Sequence, residues 1–501
     1  MPDTNATMPA ATAPPALTVA RRRWIMTAAM MAMFMAAVES TIVSTAMPTI
    51  VATLGDFHLL SWVFAAYLLT QAVTIPVYGR LADLYGRKRV LIIGAGIFLA
   101  GSALCGFAWN MPALIAFRGL QGLGAGAIMP VATTIVGDIY SPTDRGRVQG
   151  TISALWGVAA VSGPLLGAFL VQQVGWPTVF WVNLPVGVAS ILVLTLALRE
   201  RRPPRPHSVD YLGSLLLMAG SSALILALVQ AQRLGAEIVA ALLAVAAVAL
   251  VLLIRHERRH PEPMMPLELW RLRVIAAVNL GAFAIGAVMM ATVVFVPTYV
   301  QGVMGRSAVL AGFALTAMSM GWPVASTLAG RLVNRTSYRA MMLLCGVSLV
   351  LGAAMLIAMG PSSGPIWAGG AAFLTGLGMG FGNTVIILAA QSSVPWQQRG
   401  IATSMGLFMR MLGQSVGAAI FGGILNLGLA RLLPGAGDVV ERLMEPGQRA
   451  SLGAANTARL AQAVAEALHQ VYLVAGVLAL AALALAFFFP AGTNPRHGHQ
   501  D

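Results

Sequence analysis

The sequence predicts an all-α polytopic membrane protein with fourteen spans. Three observations carry that prediction. Of 501 residues, 58% are hydrophobic and only 10% are charged. Apolar runs long enough to cross a bilayer, about twenty residues each, recur along nearly the whole chain. The basic residues fall mostly in the short segments between those runs. Soluble domains carry roughly 25% charged residues, so this chain could not cover a water-facing surface. A cytosolic enzyme, a disordered chain and a secreted disulfide scaffold are excluded.

In chain order, residues 1–20 are rich in Ala, Pro and Thr and read as a disordered tail. Arg21, Arg22 and Arg23 follow. The next apolar run is too long for a signal peptide and reads as a retained first span. Spans are predicted at 24–47, 60–80, 89–109, 111–137, 147–172 and 177–198. The basic, proline-broken stretch RERRPPRPH follows, then spans at 211–230 and 236–254 and a second basic linker ending in LELWRLR. Six more are predicted at 274–300, 308–330, 339–359, 365–392, 400–425 and 470–489. The expected organisation is a disordered cytoplasmic tail (1–23), an N-terminal six-helix half (24–198), basic linkers with two inserted helices (199–273), a C-terminal six-helix half (274–489, with an external loop at 427–468) and a cytoplasmic tail (490–501).

The loop charges set the orientation. With the N-terminus in the cytoplasm and spans alternating, inside segments hold 23 of the 31 Lys and Arg residues and outside loops hold six. The positive-inside rule therefore favours both ends cytoplasmic. The net charge of +14, which in a soluble protein would point to nucleic acid, is an orientation signal here. A faint internal echo supports two halves: GRLADLYGRKR at 79–89 follows the second span, and GRLVNRTSYRA at 330–340 follows the tenth. Matched positions of this kind fit the parallel repeats of transporters.

The chemistry the sequence offers is sparse. Lys88 is the only lysine and sits in RKRV, so no Walker A loop exists to hold nucleotide phosphates. GLGAGA at 122–127 lies inside a span with no preceding strand, and reads as small-residue helix packing. Cys105 and Cys345 both lie in apolar runs and imply no disulfide framework. No histidine cluster within a span points to a metal. No cofactor or metal is expected, and any active transport must draw its energy from elsewhere than an ATP site of this kind.

Three charged residues lie well inside spans: Glu39, Arg118 and Arg410. A carboxylate in hydrocarbon is costly and usually faces a cavity with a function. Removal from water also disfavours its charged form, which suits a group that loads and releases protons. Glu39 and Arg118 lie at similar depth, roughly 10–12 Å below the outer surface at 1.5 Å per residue. They can touch if their helices are neighbours. Arg410 is near mid-membrane, and reads equally as a cavity residue or as a tether to a carbonyl or to Asn383. Trp62, Tyr67, Gln71, Trp156, Asn183 and Asn383 are further cavity candidates. The 27 methionines supply adaptable apolar walls.

These motifs carry a resemblance. GRLADLYGRKR, through Gly79, Leu81, Ala82, Asp83, Gly86, Arg87 and Lys88, resembles the loop after the second helix of the major facilitator superfamily. RGLQGLGAGA is similar to that superfamily's fourth-helix motif. SGPLLGA, through Gly163, Pro164 and Gly167, resembles its antiporter motif. VESTIVSTAMP resembles the first-helix motif of the 14-helix drug:proton antiporters, with Glu39 where that branch usually carries Asp. FWVNLPVG at 180–187 and FMRMLGQSVGAAI at 408–420 agree with the same branch. The resemblance implies a major facilitator fold of two six-helix halves plus two inserted helices. It also implies Glu39 and Arg118 as proton-coupling residues, and Gly79, Asp83, Gly86, Arg87 and Lys88 as a cytoplasmic gate.

The functional expectation is a proton-coupled antiporter in the cytoplasmic membrane, exporting drugs or toxic amphipathic compounds by alternating access. Its partners are small amphipathic molecules, protons and membrane lipid, without nucleic acid. An adaptor or outer-membrane partner is left open. Rival readings are a dedicated single-metabolite exporter, a symporter, and, from other classes, a channel or a membrane-embedded enzyme.

Overall fold

A computed structural model describes residues 18–56, 59–198, 200, 210–229, 234–260, 263, 265–306, 308–333, 335–433 and 453–491. All regular structure among these residues is helical. The N-terminal half holds α1 (Val19–Leu54), α2 (Leu60–Tyr85), α3 (Arg87–Gly106), α4 (Met111–Ile139), α5 (Pro142–Gln173), the single turn α6 (Thr178–Trp181) and α7 (Asn183–Ala197). Two helices follow, α8 (Tyr211–Val229) and α9 (Ala236–Glu257). The C-terminal half holds α10 (Arg273–Thr298), α11 (Ala308–Leu332), α12 (Tyr338–Ile357), α13 (Gly364–Ser392), α14 (Arg399–Leu432) and α15 (Ala454–Leu485).

Local signals set several boundaries. Thr18, Asn110, Ser141 and Ser337 cap helix starts, their side chains accepting the backbone N–H of Arg21, Ala113, Asp144 and Ala340. These bonds satisfy donors that a helix N-terminus otherwise leaves unpaired. Between α2 and α3 there is one residue, Gly86, at φ 102°. Glycine alone adopts that backbone without strain, so the chain reverses there in a single step.

Twelve helical segments among the described residues are long and apolar enough to cross a membrane. Of the fourteen expected spans, the two outside that set are α5 and α11, which at 32 and 25 residues are long enough to cross. They pack against each other between the halves and interleave Gly, Ser and Thr with their apolar residues. Large apolar side chains such as Phe169, Leu196, Val248 and Phe313 are exposed on the outer faces. A bilayer is the solvent such a surface requires.

Some expected boundaries move. Val19–Arg23, read from sequence as tail, form the first turn of α1; residues 1–17 lie outside the described set. The expected external loop at 427–468 is shorter, because α14 continues to Leu432 and α15 begins at Ala454. Residues 434–452 and 492–501 lie outside the described residues, as does the 199–209 linker apart from Glu200.

Each half has its own apolar core, around Met33, Ile42 and Phe180 in the first and Ile285, Cys345 and Met405 in the second. The inserted helix α8 packs where the halves meet, with Ile225 against Ala72 and Val73 of α2 and Met411 and Leu412 of α14. Behind it, α9 buries only Ala246, Ala249, Leu253 and Glu257.

Candidate functional site

Glycines in α4 position the first part of the site. A Cβ on Gly122 would lie 2.3 Å from the Tyr67 carbonyl oxygen of α2, and one on Gly124 would lie 2.2 Å from the Phe98 nitrogen of α3. Only glycine permits backbones this close. Thr70 adds a hydrogen bond from its hydroxyl to the Gly119 carbonyl at 2.8 Å. This packing brings Arg118 of α4 beside Tyr67 of α2 and into the space between α1 and α3.

There Arg118 donates to and pairs with Glu39 of α1. The same guanidinium donates to Gln121 at 2.6 Å and to the Val63 carbonyl at 3.3 Å. The second Glu39 oxygen accepts the Asn183 amide at 2.6 Å. Ser102 ties the group together, accepting from Asn183 at 3.0 Å and Gln121 at 3.1 Å and donating to the Phe180 carbonyl at 2.8 Å. Glu39 is 0% exposed and Arg118 1%. A buried pair of this kind is stable only when its remaining donors and acceptors are bonded, and here the Gln121 and Asn183 side chains and the Val63 carbonyl do so. The Arg118 guanidinium also lies over the Tyr67 ring, 4.1 Å from its centroid.

Tyr67 faces a second feature as well. It lines a central cavity of about 330 Å³ bounded by α1, α2, α4 and α5 of one half and α10, α11, α13 and α14 of the other. Gln71, Trp156, Asn383 and Arg410 line it too, with apolar walls from Met129, Met289, Met318 and Met411. A larger recess between the C-terminal end of α10 and the start of α15, about 1140 Å³, shares no residue with this cavity or with the Glu39 group.

Below the cavity, at the end of the bundle carrying most of the basic residues, the halves are latched. Asp83 at the end of α2 accepts the backbone N–H of Gly400 at 3.0 Å and of Ile401 at 2.8 Å. It thus supplies the anion that the N-terminus of α14 favours. Arg87 pairs with Asp83 at 3.2 Å and Asp138 at 2.7 Å, donates to the Trp396 carbonyl at 2.6 Å and lies 3.8 Å over the Trp396 ring. Asp138 bridges onward to Arg399 at 3.3 Å. Glycines close the rest. A Cβ on Gly79 would be 1.9 Å from the Ser404 hydroxyl, and one on Gly330 of α11 would be 1.9 Å from the Gly146 carbonyl of α5. Ser153 and Ser326 bond across the same α5–α11 seam at 2.7 Å. In this conformer the two halves are in direct contact at the basic end.

On the other side of α5, Gly163 and Gly167 face α1. A Cβ on Gly163 would be 1.9 Å from the Thr41 hydroxyl, and one on Gly167 would be 3.0 Å from the Ile42 carbonyl. The side chain of Pro164 lies outside the described set, while its backbone is part of α5.

The model of the Major Facilitator Superfamily matches residues 29–418. The chain belongs to the major facilitator superfamily. Among its relatives, "Multidrug resistance protein 3" of Bacillus subtilis is 32% identical over 491 residues, covering 93% of this chain and 95% of the relative. "Multidrug transporter protein MdtP" of the same organism is 34% identical over 420 residues, covering 82% and 77%. The crystal structure of the human organic anion transporter MFSD10 (TETRAN) superposes with a TM-score of 0.61, covering 93% of this chain and all of that one, at 14% identity. That likeness establishes the fold.

Against this superfamily framework several sequence readings need correction. Asn183, expected in the cavity, opens α7 and turns its amide onto Glu39 and Ser102 instead. Trp62 does not line the cavity; five residues at 3.6 per turn put it roughly 140° around α2 from Tyr67. Lys88 does not join the latch: its ammonium donates to the Thr195 carbonyl at the end of α7, at 2.7 Å. Gly86 takes part only as the reversal between α2 and α3. Arg410 is not tethered to Asn383; both line the cavity, and the described residues offer its side chain no hydrogen bond or ion pair.

Sequence reasoning missed the partners of the transporter's latch on the other half, Trp396 and Arg399. It also missed Glu200, which accepts the Arg87 backbone N–H at 3.0 Å at the start of α3. Asp210, His256 and His260 come together at the basic ends of α8 and α9, their ligand atoms within 4.8 Å of one another, a spacing that could hold a metal ion. Asp210 there caps Gly213 at 2.7 Å and pairs with His256 at 2.7 Å, which ties the two inserted helices together.

Proposed function

We propose that this transporter is a proton-coupled efflux antiporter, exporting amphipathic compounds across the cytoplasmic membrane by alternating access. The observation that carries the reading is the double role of Tyr67. One face of its ring meets the Arg118 guanidinium that holds Glu39, and the residue is also a wall of the central cavity. Occupancy of the cavity and ionisation of Glu39 therefore act on the same guanidinium.

A proton arriving from outside neutralises Glu39 and removes the charge that Arg118 balances. Arg118 then relaxes toward Tyr67 and the cavity, and the bound compound is released outward. On the return, a compound taken from the cytoplasmic side restores the Arg118–Glu39 pair and expels the proton. The basic end faces the cytoplasm by the positive-inside rule, with both termini on that side and all fourteen long helices spanning. The Asp83–Arg87–Asp138 latch joins the halves at that end, and its release accompanies inward opening. Backbone contact between α5 and α11 at the seam supports rocking halves over a permanently open channel. Each net charge moved inward per cycle gains ~2.3 kcal/mol per 100 mV.

The test is substrate-driven proton release in inverted membrane vesicles loaded with a pH-quenched dye. Adding a transported amphipath must dequench the dye in vesicles containing the protein and leave control vesicles unchanged. Flux that neither saturates nor depends on the gradient would overturn the antiport reading.

A further inference from the structure

Among the described residues, the lining of the central cavity carries one charge. Arg410 of α14 is the only ionisable Asp, Glu, Lys, Arg or His side chain among the described residues that line it. Its Nε is buried without a hydrogen-bond partner among the described residues, and its guanidinium lies over the Trp322 ring, 5.8 Å from the centroid. Three acidic residues of the helix bundle are engaged elsewhere: Glu39 by Arg118 and Asn183, and Asp83 and Asp138 in the latch. The backbone of this turn of α14 is packed tightly against α10. A Cβ on Gly286 of α10 would fall 2.1 Å from the Arg410 carbonyl oxygen, so α10 backs directly onto this turn of α14.

A buried cation without a counter-charge is costly, and a guest that supplies the missing anion removes that cost. A cationic guest does the reverse. In a cavity of about 330 Å³ a guest's charge is partly buried with the guanidinium, and buried charges are screened much less than exposed ones. The planar guanidinium matches a carboxylate or sulfonate bidentately. Trp156, Trp322 and the methionine walls suit an aromatic or aliphatic body.

We propose that the cavity selects amphipathic organic anions, with Arg410 as the residue that receives the acid group. This rests on the export reading and narrows its substrate class. It also sets the charge carried. A monoanion leaving while a proton enters moves two positive charges inward per cycle, so the membrane potential drives export of an anion more strongly than export of a neutral compound.

The test uses three probes with one body: naphthylacetate, naphthylacetamide and naphthylethylamine. Equilibrium dialysis against the purified full-length protein reads their affinities. The wild type should bind the acetate about tenfold or more tighter than the amide, as expected of charge-assisted hydrogen bonds, and the amine most weakly. Arg410→Gln should reduce acetate affinity to that of the amide while amide affinity stays within about twofold, which reports an intact cavity. Arg410→Lys should keep part of the acetate preference. Amine binding as tight as acetate, an acetate preference that survives Arg410→Gln, or no binding of any probe would overturn the proposal. A preserved acetate preference without gradient-driven movement of any probe in vesicles would overturn the export reading and leave the site standing.

Discussion

The Arg118 guanidinium lies 4.1 Å from the centre of the Tyr67 ring while it pairs with Glu39, whose second oxygen accepts from Asn183. Tyr67 is 2% exposed, and its hydroxyl has no hydrogen-bond partner among the described residues. Desolvated cation–π contacts are worth about 2 kcal/mol or more, so this ring contributes to where Arg118 rests. The ring, more than the hydroxyl, links the cavity to the ion pair.

That distinction gives the first prediction. Tyr67→Phe keeps the ring and should retain coupled transport to within about threefold. Tyr67→Ala removes the contact and should lower substrate-driven proton release about tenfold or more, on the factor of ten per 1.4 kcal/mol. Dye dequenching in vesicles measures both. Equal loss in the two variants would assign the effect to the hydroxyl.

The latch gives the second. Removing one partner of a buried ion pair typically costs about 3–5 kcal/mol, and Asp83 is joined to both Arg87 and the start of α14. Because these contacts join the two halves, Asp83→Ala should populate the conformer open at the basic end. A cysteine at Thr403, 2% exposed in this conformer, with Cys105 and Cys345 replaced by serine, should react with a polar thiol reagent at least tenfold faster in the Asp83→Ala background. An unchanged rate would mean that the glycine seams alone hold the end shut.

Those seams give the third. A side chain at Gly330 meets the Gly146 carbonyl, a backbone atom that cannot swing aside. Gly330→Val should therefore prevent closure. Cysteines replacing Ser153 and Ser326, whose hydroxyls are 2.7 Å apart, should cross-link readily in the parent and about tenfold more slowly with Gly330→Val. Transport should fall with the cross-linking rate, while thermal stability shifts little because the open conformer relieves the contact. Rapid cross-linking in Gly330→Val would contradict a close α5–α11 approach.

Much of this architecture was legible because a spanning helix must satisfy its backbone internally and turn apolar side chains to lipid. Long apolar runs and basic loops follow directly. The Glu39–Arg118 contact was legible from depth, since both residues stand at similar heights on their helices. What depth does not give is azimuth. Asn183 and Trp62 lie in the expected helices and face away from the cavity, the first toward Glu39. Contacts between the halves were hidden for a different reason: Arg87 reaches the Trp396 carbonyl across 309 positions of sequence, and no local pattern encodes that pairing. The missing partner of Arg410 is likewise a property of the assembled cavity and of no single helix.

The most direct measurement of the central claim is made on Glu39→Gln reconstituted in proteoliposomes. The amide keeps the shape of the carboxyl group and cannot exchange a proton. Substrate–substrate counterflow, which needs only the cavity and the rocking halves, should persist within about threefold of wild type. Uphill accumulation driven by an imposed pH gradient should disappear. If Glu39→Gln still accumulates substrate against its gradient when the pH gradient is imposed, Glu39 is not the coupling carboxylate.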